Sequence, residues 1–420
     1  MKIAILGGGF TGLTAAYFLS QKHQITLFEK EHVLGGLSAG FKEKNWLWSL
    51  EKSYHHLFSN DSDVLNFANE SGFNNIFFQS PKTASLFQIA NDYRTFPVDT
   101  PQDFLSLPIF NLVDKLRAGA VIAWLKLSPP LSLYEKTTAK KFLIKTMGKQ
   151  VWEGLWQELF RKKFGKYAEN ILASFIWARI KKRTKDLGYI EGGFQSFIDH
   201  IEKKLIDQKA MVKKNCSVVN LDKTGDKFKV NGELVDLIIS TLPTPVLIKL
   251  TKNIFPNNYL ERLKKINYLH AVSLILETEK PLLEKTYWLN INVKKIPFVA
   301  LVQHTNMIDK KHYDNKNLLY IANYVDDNSP LLQMTKEEVL KLYLPHLKKI
   351  SKIYDLKSKI YLFKAPFAQP VFNREFLDNK PEMITPVKNF YISNLDMTYP
   401  YDRGTNYAVK LGKEVAKLIY

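Results

Sequence analysis

The sequence predicts an α/β protein that combines a Rossmann-like domain, built from separated segments, with an α+β domain whose sheet is mostly antiparallel. Three observations predict this fold class. The first forty of the 420 residues read as strand, glycine turn, helix and strand. Residues 95–183 have mainly helical periodicity, and residues 246–385 contain alternating apolar runs typical of strands.

The glycine turn follows the apolar run Ile3 to Leu6 directly. In a strand–turn–helix of this kind, Gly7 allows the tight turn, Gly9 allows the backbone to approach a pyrophosphate, and Gly12 allows close packing of helix and strand. The phosphates then lie at the positive end of the helix, where amide protons have no partner within the helix. The turn therefore predicts a dinucleotide site.

Glu29 ends the second predicted strand, a little over twenty residues after the first glycine. A carboxylate at this place can accept hydrogen bonds from both ribose hydroxyls and disfavours a 2′-phosphate, so NADP is disfavoured. Six residues further on comes a second glycine pair, Gly35 and Gly36. With this pair the sequence resembles the FAD-binding amine oxidase superfamily, which includes protoporphyrinogen oxidase, phytoene desaturase and monoamine oxidase. Many members have Arg after the pair, whereas this chain has Leu37.

The resemblance returns at the C-terminus. The run Gly404-Thr-Asn-Tyr-Ala-Val resembles the family's closing motif, in which a helix N-terminus meets the pyrimidine end of the flavin. Between the two ends, Gly192-Gly193 resembles the turn at which members re-enter the FAD domain. The resemblance also implies that Val218, in a strand predicted over 217–221, holds the adenine, and that Thr241 ends a strand beside the cofactor.

The resemblance thus implies one cofactor, FAD, and because the sequence shows no metal-ligand spacing, no metal is expected. The residues it implies for FAD binding are Gly7, Gly9, Phe10, Thr11, Gly12, Glu29, Lys30, Gly35, Gly36, Leu37, Val218, Thr241, Gly404, Thr405, Asn406 and Tyr407. His55 and His56 lie in the aromatic stretch that passes the flavin ring in relatives, and they are the catalytic candidates. A packing role for each histidine is the alternative.

The same resemblance divides the chain into five parts. The FAD-binding domain takes residues 1–94, 185–245 and 386–420. The substrate domain takes the helical residues 95–184 and the sheet residues 246–385. Within the helical part, Trp152, Trp156, Leu159 and Phe160 recur at helical spacing and are expected in the core, with a substrate cavity as the alternative.

Charge and composition limit the partners. The formal net charge is +19, but only eight of the 60 basic residues are Arg and no nucleic-acid motif is present, so a nucleic-acid partner is not expected. The basic run that begins at Lys162 is predicted to be a solvated helix face, with a rim for an anionic substrate or lipid headgroup as the alternative. Residues 118–127 are predicted to form a buried helix, with contact to a bilayer as the alternative.

The single cysteine excludes an internal disulfide and favours a cytoplasmic location, with peripheral membrane contact left open. The resemblance implies an FAD-dependent oxidoreductase that removes a hydride from a C–H bond of a small, apolar or amphipathic substrate. An external acceptor, which could be oxygen, a quinone or a reductase, would reoxidise it. The alternatives are a flavin-dependent isomerase or reductase acting on an isoprenoid or nucleotide sugar, and a catalytically inert FAD-binding scaffold.

Overall fold

The computed structural model describes residues 1–127, 130–351 and 358–419. The strands are β1 (Lys2–Leu6), β2 (Gln24–Phe28), β3 (Gly40–Phe41), β4 (Leu50–Glu51), β5 (Leu57–Phe58), β6 (Ile76–Gln79), β7 (Thr83–Ile89), β8 (Asp92–Pro97), β9 (Leu187–Ile190), β10 (Met211–Lys213), β11 (Leu221–Thr224), β12 (Lys227–Val230), β13 (Glu233–Val235), β14 (Leu237–Ser240), β15 (Tyr268–Thr278), β16 (Trp288–Asn292), β17 (Ala300–Gln303), β18 (Asn317–Val325), β19 (Ser358–Pro370) and β20 (Phe390–Ile392).

The helices are α1 (Phe10–Leu19), α2 (Ser62–Ser71), α3 (Pro101–Ser106), α4 (Leu112–Leu127), α5 (Ala139–Met147), α6 (Lys149–Val151), α7 (Gln157–Phe164), α8 (Ala173–Lys182), α9 (Phe194–Asp207), α10 (Thr244–Leu250), α11 (Asn257–Lys264), α12 (Lys336–Ser351), α13 (Arg374–Asn379) and α14 (Thr405–Lys417). A π-helical turn, Trp152–Trp156, precedes α7.

A parallel five-stranded sheet carries the Rossmann-like unit, as the sequence predicts. Its order is β10-β2-β1-β14-β20, so strands from three distant parts of the chain lie side by side. The central strand β1 is apolar and buried from Ile3 to Leu6, as expected for a strand covered on both faces. The carboxyl ends of β1, β2 and β14 therefore meet at one edge, where ligands bind in folds of this type.

Two glycines allow α1 to pack closely on both sides. A Cβ on Gly12 would lie 2.0 Å from the Gly7 carbonyl oxygen, so helix and turn could not keep their present spacing. A Cβ on Gly412 of α14 would lie 2.6 Å from the Thr11 carbonyl oxygen. This close packing brings α14 against the first turns of α1.

The second sheet has seven strands in the order β19-β15-β18-β17-β16-β7-β8. All of its neighbours are antiparallel except β16 and β7, which confirms a mostly antiparallel sheet. The β7–β8 hairpin belongs to this sheet, so the expected boundary at residue 94 falls inside β8.

The helical part contains two departures from expectation. The buried helix predicted over 118–127 is wrong: in α4 only Ala118 and Leu125 are buried, because a single edge of the helix meets its neighbours. The solvated face predicted from Lys162 is also wrong at its start, since Lys162 is 8% exposed and donates to the Phe298 carbonyl oxygen at 3.2 Å. Trp152 and Phe160 are buried core residues, as predicted, whereas Trp156 and Leu159 are only half-buried.

The strand predicted over 217–221 is a further correction. Residues 217–220 form no strand, and β11 begins only at Leu221. The Asn231 side chain explains the difference, because it donates to the Ser217 carbonyl oxygen at 2.9 Å and accepts from the amides of Val219 and Asn220. These backbone groups are therefore held by a side chain instead of a neighbouring strand.

Within residues 1–127, 130–351 and 358–419, no helix combines the length and the apolar character needed to cross a bilayer.

Candidate functional site

The turn after β1 leaves an open side at the start of α1. Gly7 has a φ of +106°, and Gly9 is the N-cap of α1 without a side-chain capping bond. A Cβ on Gly9 would meet only the Gly36 Cα, at 3.9 Å, so the space beyond Gly9 is free of protein. Phe10 and Thr11 supply the first backbone amides of the helix, and both side chains are buried beneath them. An anionic group can therefore approach the positive helix end.

Glu29 lies beside this turn at the end of β2. Its carboxylate accepts from the Gly8 amide at 2.8 Å and from the Glu31 amide at 2.9 Å, and the residue is 8% exposed. The two bonds fix the orientation of the carboxylate and leave further lone pairs for a ribose. Lys30 points the other way, since its exposed ammonium pairs with Glu31 at 3.3 Å.

The glycine pair returns the chain to the same turn. The Gly35 amide donates to the Gly8 carbonyl oxygen at 2.8 Å, and both Gly35 (φ +119°) and Gly36 (φ +56°) adopt conformations that favour glycine. A Cβ on Gly36 would lie 3.2 Å from the Gly9 Cα, so the backbones at Gly9 and Gly36 lie side by side at the start of α1. Leu37 follows, half-buried against the helical core.

The last helix also begins at this edge without a side-chain cap. Gly404 is its exposed N-cap, and the Thr405 hydroxyl lies 3.5 Å from that of Ser38, just after the glycine pair. Asn406 is 3% exposed and accepts from the Val64 amide at 3.1 Å, so its side chain anchors α14 to α2. The Tyr407 ring stacks on Tyr401 with centroids 4.7 Å apart.

Thr241 and Val218, which the resemblance placed beside FAD, lie near the turn and make contacts within the protein. Thr241 directly follows β14, and its hydroxyl donates to the Leu6 carbonyl oxygen at 2.9 Å. A Cβ on Gly7 would lie 2.6 Å from that hydroxyl, so Thr241 closes the back of the turn. Val218 lies half-buried in the 217–220 segment, and the neighbouring Cys216 amide donates to the Glu29 carbonyl oxygen at 2.8 Å. The segment therefore runs past the expected ribose position.

The adjacent residues His55 and His56 have different surroundings. His55 bonds through Nδ1 to the Ser53 carbonyl oxygen at 2.7 Å; because a carbonyl only accepts, Nδ1 carries the proton. Burial and the nearby Arg403 lower the pKa of His55 to about 4. Burial, with His55 and two guanidiniums near it, lowers the pKa of His56 to about 3. Both rings are therefore neutral at pH 7.

A cluster missed in the sequence adjoins these rings. Tyr54 and Tyr324 share a hydrogen bond of 3.1 Å between their hydroxyls, and Arg403 donates to the Tyr324 hydroxyl at 2.5 Å. Asp402 accepts a hydrogen bond from Lys163, more than two hundred positions earlier in the chain. The only sequence signal was the position of Asp402 and Arg403 directly before Gly404. The partners of these two residues, Tyr324 on β18 and Lys163 on α7, lie far away in the chain, so the sequence shows no local pattern for these contacts.

The arrangement is chemically suited to a flavin dinucleotide. Two uncapped helix N-termini, α1 and α14, lie at one sheet edge, and Gly9 and Gly36 leave room for a pyrophosphate. Among the buried polar atoms that have no hydrogen-bond partner within the described residues, His56 Nδ1 and the Tyr407 hydroxyl lie in this region. Buried polar groups without partners are uncommon and are expected where a ligand or water completes them.

Comparisons with known proteins agree with this geometry. The model of the family described as flavin containing amine oxidoreductase matches residues 10–419. The chain is 22% identical over 469 residues to 15-cis-phytoene desaturase from an Oncidium hybrid cultivar, covering 100% of this chain and 78% of the desaturase.

Solved structures share the fold. An oxidoreductase from Methanosarcina mazei superposes with a TM-score of 0.77 at 16% identity, covering 99% of this chain and 100% of that one. Reduced UDP-galactopyranose mutase superposes with a TM-score of 0.74 at 15% identity, covering 100% and 93%. Because the family model spans nearly the whole chain and the glycine cradle fits its cofactor, this protein belongs to the flavin-containing amine oxidoreductase family and is an FAD-dependent oxidoreductase.

Proposed function

We propose that the protein removes a hydride from a C–H bond of a small apolar or amphipathic substrate, and that the glycine residues of both chain ends hold its FAD. The observation that carries this proposal is the meeting of two uncapped helix N-termini with the Gly9–Gly36 cradle at one sheet edge. When bound, FAD supplies the hydride acceptor, and oxygen, a quinone or a separate reductase takes the electrons afterwards.

The residues around the site provide orientation and charge. Amides at the start of α14, with the adjacent Arg403 guanidinium, favour negative charge near the helix end. The neutral His55 and His56 rings add no positive charge there, and in this proposal they orient the substrate without exchanging protons near pH 7. Tyr54 stays protonated because burial and the nearby Tyr324 raise its pKa.

The domain assignment is part of the proposal. The FAD domain takes its strands from residues 1–94, 185–245 and 386–420, except that the β7–β8 hairpin joins the substrate sheet. The substrate domain takes residues 95–184 and 246–385.

The test is anaerobic. Purified protein is first scanned for the yellow flavin absorption band, and its FAD is identified after denaturation. Candidate substrates are then added without oxygen. Stoichiometric bleaching of the band by one compound, with recovery when an acceptor is added, supports hydride removal. Turnover of a substrate without any acceptor would instead support the isomerase alternative, and no flavin response to any compound that binds would support an inert scaffold.

We also propose that α4 contacts an anionic lipid surface. The helix exposes Val113 (73%), Leu116 (59%), Trp124 (54%) and Leu127 (80%), a spacing that places them along one side, and it carries three basic residues. Arg117, four residues after Val113, places a cation on the side of the exposed apolar stripe, and this combination matches a membrane surface with acidic headgroups.

Sedimentation with vesicles tests this contact. The protein is expected to pellet with phosphatidylglycerol vesicles and much less with phosphatidylcholine vesicles. The double variant Val113→Glu/Leu116→Glu is expected to stay in the supernatant. Leu234→Glu, at an exposed position on β13, is the matched control and is expected to pellet like the parent protein. Equal pelleting of the double variant and the parent would contradict the proposal.

A further inference from the structure

The end of α8 directs two guanidiniums toward the candidate site. Arg179 and Arg183 are four residues apart, and the charges of both contribute to the lowered pKa of His56. Arg179 Nη1 lies 3.7 Å from Asp402 Oδ2, and Arg183 Nη2 donates to the Thr83 hydroxyl at 3.0 Å. Like charges at this spacing repel each other.

Two further cations complete the group. Lys163 bonds to Asp402 and lies 5.5 Å from the centroid of the Tyr324 ring. Arg403 lies over the same ring at 4.9 Å and donates to the Ala368 carbonyl oxygen at 3.1 Å. Arg179, Arg183, Lys163 and Arg403 thus give four positive charges, which face Asp402 and, beside Arg183, Asp99. Asp402 alone therefore has three cations near it, Lys163, Arg179 and Arg403.

Stabilisation of the α8 C-terminus does not account for this group of cations. The carbonyl groups at the helix end already have other partners, because Asn60 Nδ2 donates to the Lys182 carbonyl oxygen at 3.2 Å and Lys126 Nζ donates to the Arg183 carbonyl oxygen at 2.7 Å. Arg183 lies beyond the helix, and burial together with Arg179 lowers its pKa. An anion between the two guanidiniums would remove their repulsion, and the planar fork of Arg suits carboxylate and phosphate.

We propose that the substrate carries an anionic group, a carboxylate or a phosphate, which Arg179 and Arg183 bind. The proposal rests on the proposed function and gives its substrate class. The apolar part of the substrate then extends past His56 toward Tyr54 and the stacked Tyr401–Tyr407 pair. An ammonium group would meet an excess of positive charge and is disfavoured, so simple amines are poor ligands for this chain. The α4 surface is nearby, because Lys126 donates to the Arg183 carbonyl oxygen at 2.7 Å.

Binding is measured on the FAD-loaded protein with three probes of equal chain length: hexyl phosphate, hexanoate and hexylamine. Calorimetry reports binding without relying on the flavin, and the flavin difference spectrum reports whether the ligand lies near the ring. At least one anion is expected to bind saturably, to perturb the flavin spectrum and to weaken with added salt. The comparison of phosphate with carboxylate decides between the two anion types. Tighter binding of hexylamine than of either anion would overturn the proposal.

Substitutions locate the site. Arg179→Gln/Arg183→Gln is expected to weaken anion binding by at least about tenfold, because two charge-assisted contacts are lost. Arg374→Gln is the matched control, since Arg374 is exposed on α13 and pairs only with Asp378 among the described residues. Unchanged anion binding in the double variant would overturn the proposal. If that variant does not fold, Arg179→Lys, which keeps the charge but loses the fork, replaces it, and undiminished binding again counts against the proposal.

Different results contradict the proposed function and the anionic substrate class. Absence of FAD from the purified protein contradicts the proposed function, and calorimetry on that protein still shows whether anions bind at the two arginines. FAD with bleaching by amines, and no anion binding, contradicts the substrate class alone.

Discussion

Replacement of Gly9 by Val separates cofactor binding from folding. A Cβ at this position meets nothing nearer than the Gly36 Cα at 3.9 Å, so the protein without cofactor has room for the first added carbon. The side chain would instead occupy the open side of the turn, where the pyrophosphate approaches the α1 amides. We expect Gly9→Val to fold and to lose FAD.

The expected magnitude follows from the contacts that are blocked. Each hydrogen bond to a charged group contributes about 1.5–3 kcal/mol, so loss of two of them weakens FAD binding by about 3–6 kcal/mol, or roughly 10²- to 10⁴-fold. The ratio of flavin to protein after purification and the Kd for FAD added to stripped protein measure this loss. The thermal unfolding midpoint of the stripped variant is expected to match that of the stripped parent.

Two other glycines supply the controls. Gly12→Ala places a Cβ 2.0 Å from the Gly7 carbonyl oxygen and is expected to lower the unfolding midpoint itself. Gly119→Val, where no atom lies within 4 Å of the added Cβ, is expected to retain FAD. Normal flavin content in Gly9→Val would refute the reasoning, because it would show that the pyrophosphate does not approach that turn.

Three further predictions follow from the site and the core. Glu29→Ala is expected to weaken the Kd for FAD by roughly five- to 150-fold, about 1–3 kcal/mol, whereas exposed Glu31→Ala retains it; equal Kd values in the two variants would contradict the ribose role. Arg403→Gln is expected to make the flavin reduction potential more negative in a redox titration, with Arg374→Gln unchanged, since a cation near the α14 N-terminus favours the negatively charged reduced form; an unshifted potential would contradict that role. Burial lowers the pKa of His304 to about 3 from 6.5. Because this folded-state pKa lies below the unfolded value, the contribution of His304 to the free energy of unfolding is complete above pH 6.5. It is smaller by about 2 kcal/mol at pH 5. His304→Gln is therefore expected to reduce the pH dependence of the free energy of unfolding in urea between pH 6.5 and 5. If the variant and the parent protein lost stability equally over this range, the effect would not come from His304.

Local patterns in the sequence predicted the elements and the family well. The glycine turn, Glu29 and the glycine pair lie within thirty residues of one another, so their spacing alone indicates a cradle. The two-residue Asn231-Gly232 turn between β12 and β13 is also a local pattern, since Asn-Gly favours a tight hairpin turn. The same Asn231 shows where local patterns fail, because its side chain takes the backbone groups that residues 217–220 would have used in a strand.

Contacts between distant segments were not predictable from one sequence. Lys163 looked like part of a solvated basic run, yet the fold brings Asp402 to it. The apolar residues of α4 suggested burial, but whether a helix face is covered depends on the neighbours that packing supplies. The group of cations around Asp402 likewise arises only when α7, α8 and the segment before α14 converge.

The most direct test of the central claim is the flavin content of the purified protein, measured by the absorption of the native protein and by identification of the flavin released on denaturation. We expect a yellow protein that releases close to one FAD per chain. A colourless protein that takes up no FAD when it is added, while folding normally, would contradict the account.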